Sequence, residues 1–123
     1  MNVGTNVWVI ADGYIPPSST GPEPAMTSHD SACILNAGDE EAHLELFVYF
    51  TDREPAGPYK LTIKPRRAHH QRLNDLTDPE PMPVGVDYCC LIQSDKPIVV
   101  QHTRLDSRQT ANALMSTIAH PAG

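Results

Sequence analysis

The sequence is short of every feature that would mark a membrane, secreted or nucleic-acid-binding protein. No stretch approaches the roughly 18 consecutive apolar residues of a membrane-spanning helix. The first residues, MNVGTNVWVIADG, hold no basic segment before their short apolar run, so no signal peptide is read there. Cysteine is scarce and odd in number: Cys33, Cys89 and Cys90. Two of the three are adjacent and would bridge only with strain, and there is no CxxC pair. A secretory disulfide framework is therefore absent, and a cytoplasmic chain with reduced thiols is expected. Positive charge is also in deficit, nine Lys and Arg against fifteen Asp and Glu, a formal net charge of −6. A chain of that sign repels a phosphate backbone, which argues against nucleic acid as a partner.

What is present is an ordinary globular composition, 40% hydrophobic and 20% charged over 123 residues, enough for one domain with one core. The twelve prolines cluster at Pro16-Pro17, Pro22 to Pro24 and Pro79 to Pro83. They punctuate short apolar runs. Asn6 to Ala11 reads as a first strand, followed by a long ordered loop from Asp12 to Thr27 that its prolines bar from regular structure. Ser31 to Asn36 reads as a second strand. Ala42 to Thr51 is the clearest, with Ala42, Leu44, Leu46, Val48 and Phe50 on one face at period two. Tyr59 to Lys64 places Tyr59, Leu61 and Ile63 on one face, and Arg67 to Leu73 is a polar extended segment. Another proline-rich loop covers Asn74 to Val86. Asp87 to Gln93 and Pro97 to Arg104 read as two strands joined by a turn at Ser94-Asp95-Lys96. Near the C-terminus Ala111, Leu114, Met115 and Ile118 fit helical spacing, while Leu114 to His120 equally fits a last strand. The reading adopted is a short helical turn after Ser107, then a strand. About eight short strands without a long helix predict an all-β fold, a single-domain antiparallel β-sandwich over residues 1–123.

The polar residues offer few chemical signatures. Lys64-Pro65-Arg66-Arg67-Ala68-His69-His70-Gln71-Arg72 holds four fixed positive charges, which suits either an acidic partner or a solvated edge strand whose charges discourage aggregation. His69 and His70 are neighbours in a strand and point to opposite faces. No HExxH or similar spacing gathers the six histidines, so no metal or other cofactor is expected. Ser107 or Cys89 with His102 and Asp106 has the residue types of a catalytic triad, but no nucleophile elbow accompanies them, and no enzyme is expected. QHTRLDSR at 101–108 is different. His102 and Arg104 are two apart at the end of an apolar strand and share a face with Val100. With Asp106 and Arg108 just beyond, this edge suits a small polar ligand, or an Arg104–Asp106 ion pair at a subunit interface. Trp8 and Tyr14 flank the first proline loop, as core residues or as stacking platforms.

Six motifs together carry a resemblance: GYIPP at 13–17, GPEP at 21–24, CILNAGDE at 33–40, EPAGPY at 54–59, RLNDL at 72–76, and IQSDKPIVVQHTRLDSRQ at 92–109. In order and spacing the chain resembles the soluble sensory rhodopsin transducer family from about Trp8 to Ala119. The resemblance implies a small antiparallel β-sandwich, assembly as a homotetramer, and a cytoplasmic signalling role beside a seven-helix membrane photoreceptor. It also implies kinship with small-molecule-binding sandwich domains. Carried onto these motifs, a candidate pocket for a small polar, sugar-like ligand comprises Glu23, His29, Asn36, His102, Arg104 and Asp106, with Glu54 as a weaker member. The rival expectations are a pure docking adaptor, using the basic 64–72 strand or the acidic 38–41 turn, and a DNA-binding effector.

Overall fold

The structure is a computed structural model that describes residues 3–23 and 26–123, so the GPEP motif is seen only as far as Glu23. Eight strands form one antiparallel hydrogen-bonded network: β1 Thr5–Tyr14, β2 His29–Asn36, β3 Ala42–Phe50, β4 Ala56–Ile63, β5 Arg67–Arg72, β6 Asp87–Asp106, β7 Ala113–Ile118 and β8 His120–Pro121. One 3₁₀ turn, Leu73–Asp75, follows β5.

The network is organised by β6, which is twenty residues long. Its first part lies between β1 and β3, giving the order β4-β3-β6-β1-β8. Its second part lies between β2 and β7, and β5 completes that side beyond β2. One strand thus serves as the central member of two sheets. The turn expected at Ser94-Asp95-Lys96 is instead an irregular stretch of continuous strand. From Thr5 to Val7 on β1 the partner jumps from Ile98 to Gln93 on β6. A bulge of this kind bends a strand without ending it, and it accommodates Pro97, which has no N–H to give a ladder. The Ser94 hydroxyl takes up the Lys96 N–H at 3.3 Å. Trp8, 4% exposed, closes the bend: its indole N–H lies 3.0 Å from both Ile98 O and Thr5 O.

Period-two alternation places the core as expected. Ala42, Leu44, Leu46 and Val48 are buried from β3, and Tyr59 and Ile63 from β4. Ile10, Ile34, Ile92, Ile98 and Val100 join them in one continuous cluster drawn from both sheets. Each fully buried Leu, Ile or Val contributes about 1.5–3 kcal/mol. The same alternation separates the vicinal cysteines. Cys90 sits in the core, where burial pushes its thiol up to about 12. Cys89 turns outward and its sulfur donates to Ala11 O.

Two expectations change. β1 continues through Gly13 and Tyr14, which pair with Tyr88 and Asp87, so the first loop begins only at Ile15. No helical turn follows Ser107; residues 108–111 are bends, and β7 comes next. Leu114 and Ile118 are four apart, a spacing that one helix face and one strand face both satisfy. The open flank of β6 decides for the strand.

Trp8→Phe keeps an aromatic in the core but removes the donor shared by Ile98 O and Thr5 O. Urea unfolding is expected to show a loss of about 1–3 kcal/mol, the cost of stranding buried acceptors.

Candidate functional site

The second residue of β2, Asp30, is 0% exposed. It lies on the inward face with Ala32, Ile34 and Asn36, and its carboxylate is satisfied from several elements at once. From β1, the Tyr14 N–H donates to Oδ2 at 2.8 Å. From the first part of β6, the Tyr88 hydroxyl donates to the same oxygen at 2.7 Å. From the second part of β6, His102 Nε2 and Arg104 Nε each lie 3.0 Å from Oδ1. The Asp30 N–H in turn donates to Asn74 Oδ1 at 3.2 Å, beyond β5. Gly13 makes room for this arrangement: a Cβ there would fall 2.4 Å from the Tyr88 ring.

Burial alone would raise the Asp30 carboxyl. The hydrogen bonds from His102, Tyr88 and the Tyr14 N–H outweigh it and hold the group below the ordinary carboxylate value. Tyr88 is raised, by burial first and then by the Asp30 charge it faces, so it remains a donor. Arg104 also donates to Asp12 O through Nη2. Its guanidinium and that of Arg108 lie over the Tyr14 ring, 5.9 and 5.6 Å from the centroid. Arg104 does not pair with Asp106. Asp106 instead binds Arg108, with Nε and Nη2 at 2.9 and 2.6 Å, and that hydrogen-bonded partner holds its carboxyl low.

Beside this cluster opens a cavity of about 670 Å³. Ile15, Pro16, Pro17 and Val84 give it an apolar side. Ser18, Ser19, Glu23, Thr27, Ser28, Arg72, Asn74 and Asp75 give it a polar one. Its polar wall is tied to the structure beneath. Asn74 Nδ2 donates to Ser28 O at 3.1 Å while Asn74 Oδ1 holds the Asp30 N–H. The Ser28 hydroxyl donates to Ser18 O at 2.7 Å and accepts the Ser107 N–H at 2.9 Å. Thr20 clasps Ser107 O through its N–H and its hydroxyl, at 2.6 and 2.7 Å. The proline-stiffened loop is thereby fastened to the exit of β6.

The seven residues read from the motifs divide. His102 and Arg104 meet on Asp30, and Glu23 lines the cavity. Asp106 sits at the end of β6 with Arg108. His29 lies at the start of β2, its Nδ1 2.7 Å from Thr27 O. Asn36 is not brought into the group. It stands at the far end of β2, seven residues or about 23 Å from His29 along an extended strand. There its amide N–H groups reach Glu40 O, Ile63 O and Lys64 O, and its Oδ1 accepts the Gly38 N–H, which fixes the β2–β3 turn. Glu54 is exposed in the β3–β4 turn and does not line the cavity. The basic segment 64–72 includes β5, an edge strand paired only with β2 among the described residues. Arg66 pairs with Asp39 at 3.0 Å, so the basic run and the acidic turn partly neutralise each other.

Asp30, Tyr88 and Asn74 are the residues that motif reading passed over. Asp30 did leave a trace: it is a carboxylate in the apolar phase of a strand. Tyr88 and Asn74 become legible only once β6 and the 3₁₀ turn are seen beside it. Among the described residues no group of His, Cys, Asp and Glu is arranged to hold a metal ion.

Asp30→Ala removes the shared acceptor and leaves the buried His102 imidazole and the half-buried Arg104 guanidinium facing each other. A loss of about 3–5 kcal/mol in urea unfolding is expected. The pH dependence follows from the same geometry. The folded carboxyl titrates below its ordinary value, so the stability it supplies is present above about pH 3.9 and is lost as the pH falls through the folded pKa. Melting temperatures recorded from pH 6 down to pH 2 should fall more steeply for the native protein than for Asp30→Asn.

A family model, the Anabaena sensory rhodopsin transducer, matches residues 3–121. Two solved structures are similar. The Anabaena sensory rhodopsin transducer is 55% identical, with a TM-score of 0.77 over 84% of this chain and 99% of that one. The Thermotoga maritima protein 1070 is 34% identical, with a TM-score of 0.87 over 99% of this chain and 97% of that one. No curated protein gives a significant match. With nearly its whole length matched, and with the sandwich and the motif residues in place, the chain belongs to the Anabaena sensory rhodopsin transducer family.

Proposed function

We propose that the chain is a non-catalytic, cytoplasmic signalling module that takes a small polar ligand in the cavity above Asn74 and Ser28. The observation that carries this reading is the double role of Asn74, whose side chain lines the cavity while its Oδ1 holds the backbone of the buried Asp30. A ligand that reorients Asn74 or Ser28 acts on groups already joined to Tyr14, Tyr88, His102, Arg104 and Ser107. The binding energy is thereby coupled to both sheets and to the exit of β6. A cavity with one apolar side and one wall of hydroxyls, amide and charges suits a compact, hydroxyl-rich or zwitterionic molecule. The stiff Ile15–Ser19 wall loses little freedom on binding, which favours a preorganised site.

Within this reading His102 and Arg104 bear on the ligand from below, through Asp30, and Glu23 contributes from the rim. Family membership supports a transducer-like role, and the Anabaena relative's name supports a membrane photoreceptor as the source or target of the signal. Assembly as a homotetramer belongs to the same reading. Among the described residues no helix is long and apolar enough to cross a membrane. The net charge of −6 continues to weigh against DNA.

The test is a thermal-shift screen of the purified protein against sugars, amino acids and nucleosides. A ligand at 100 times its Kd adds about 2.7 kcal/mol, on the order of 10 °C for a domain of this size. Val84 is exposed at the cavity and makes none of the hydrogen bonds above, so Val84→Trp should fill the space and abolish a true response. Shifts that survive Val84→Trp would place the ligand elsewhere. A silent screen, with the protein retained by photoreceptor-containing membranes, would leave docking as the function.

A further inference from the structure

Three charged side chains line the cavity above Asn74 and Ser28, and they are of both signs. Arg72 is the last residue of β5 and is half-buried. Its Nη2 donates to Thr27 Oγ1 at 2.9 Å, which fixes one arm of the guanidinium fork. Glu23 comes from the proline-rich loop and Asp75 from the 3₁₀ turn, and both are exposed. Among the described residues neither carboxylate is engaged in an ion pair or a side-chain hydrogen bond. The opposite wall is apolar. The Gly85 N–H donates to Ile15 O at 2.8 Å and so holds Val84, 57% exposed, beside Pro16 and Pro17. No aromatic side chain lines the cavity among the described residues. Tyr14, the aromatic that adjoins the loop, already faces the guanidinium groups of Arg104 and Arg108.

We infer that the cavity takes a zwitterion of the amino-acid class, a free amino acid or dipeptide with apolar side chains, its carboxylate on Arg72 and its ammonium beside Glu23 and Asp75. This rests on the reading of the cavity as a ligand site and names the ligand's chemistry. Each simpler class meets an obstacle. An anion without an ammonium group faces two carboxylates for one guanidinium. A cation without a carboxylate faces Arg72. A sugar presents an apolar C–H face that seeks a flat aromatic ring, and the cavity offers none. A molecule carrying one charge of each sign and an apolar portion matches all three features of the lining. The guanidinium fork suits a carboxylate in a two-bond geometry, and its anchoring on Thr27 limits the freedom lost on binding. An ammonium group has three donors and no acceptor, so two solvated carboxylates are apt partners. The apolar side chain would lie on Pro16, Pro17 and Val84 and take exposed apolar surface out of water. At about 670 Å³ the cavity has room for a dipeptide as well as for a single amino acid.

The test is isothermal titration calorimetry of the native chain with leucine, leucyl-leucine, leucinamide, N-acetylleucine and glucose. Leucine or leucyl-leucine is expected to bind saturably. Leucinamide lacks the carboxylate and N-acetylleucine lacks the ammonium, and each should bind about tenfold or more weakly than leucine, the worth of one charged hydrogen-bond contact. These comparisons alter only the ligand, so they stand whether or not a variant folds. Two variants then assign the charges. Arg72→Gln should abolish the preference for leucine over leucinamide while leaving the preference over N-acetylleucine. Glu23→Gln with Asp75→Asn should do the reverse. A general loss of structure would weaken every probe alike and could not exchange the two preferences. Leucinamide or N-acetylleucine binding as tightly as leucine would overturn the zwitterion. So would preferences that survive both variants. Binding of glucose with silence from leucine and leucyl-leucine would overturn it while leaving the cavity as a ligand site. Silence from all five probes would overturn the zwitterion, and with a silent wider screen the cavity reading as well.

Discussion

A carboxylate taken out of water must be met by donors, and the donors around Asp30 come from parts of the chain far apart in sequence. Tyr14 contributes from β1, Tyr88 from one part of β6, and His102 and Arg104 from the other. An unmet buried charge costs several kcal/mol. The two sheets must therefore hold their relative placement at this end of the sandwich to within hydrogen-bond tolerance. Leucine and valine packing alone is more permissive, because apolar side chains can slide and repack. Asp30 thus supplies geometric definition where the apolar core supplies bulk stabilisation. It also explains why Gly13 must lack a side chain: the Tyr88 ring passes where a Cβ would be.

The same interaction ties the fold to the site. The cavity is open, and its proline-rich wall has little regular structure, yet that wall is fastened to Ser107 at Thr20 and Ser28, and the Ser28 hydroxyl also holds Ser18 O. The fastening points are hydroxyls and backbone groups, which exchange partners at small cost. The Asp30 cluster below is charged and buried, and it does not exchange partners cheaply. Prolines stiffen the wall itself, and the Asp30 cluster fixes the base on which it stands.

Much of this was legible in the sequence, and the parts that were not share a cause. The β3 alternation, the Tyr59 and Ile63 face and the polar exit of β6 follow from local pattern and were read correctly. Family membership followed from six spaced motifs. The Ser94-Asp95-Lys96 stretch has turn composition, but its conformation is decided by β1 and β3 on either side, which local pattern does not contain. Asp30 escapes local reading because pattern alone starts the second strand at Ser31, one residue too late to reveal a charge in the inward phase. Asn36 was grouped with the pocket because it is polar and lies in a distinctive motif. Its burial and its bonds to Glu40 O and Ile63 O mark it as the staple of a turn.

The length of β6 bears on how the molecule comes to be folded at all. β6 is the central strand of both sheets, yet it lies in the last third of the chain; Trp8 must wait for Ile92, and Ile34 for Val100. Among the described residues two strand pairs can form before β6 is made, the β3–β4 hairpin and the longer-range β2–β5 pair. Leu44, Leu46 and Val48 lack their central partner strand until residues 88–94 of β6 have been made. Order on this chain should arrive late and together, with a slow search for distant partners before any stable intermediate. A nascent chain halted before β6 would be an apolar, aggregation-prone fragment, so abundance in the cell should depend on shelter during translation as much as on the stability of the finished sandwich.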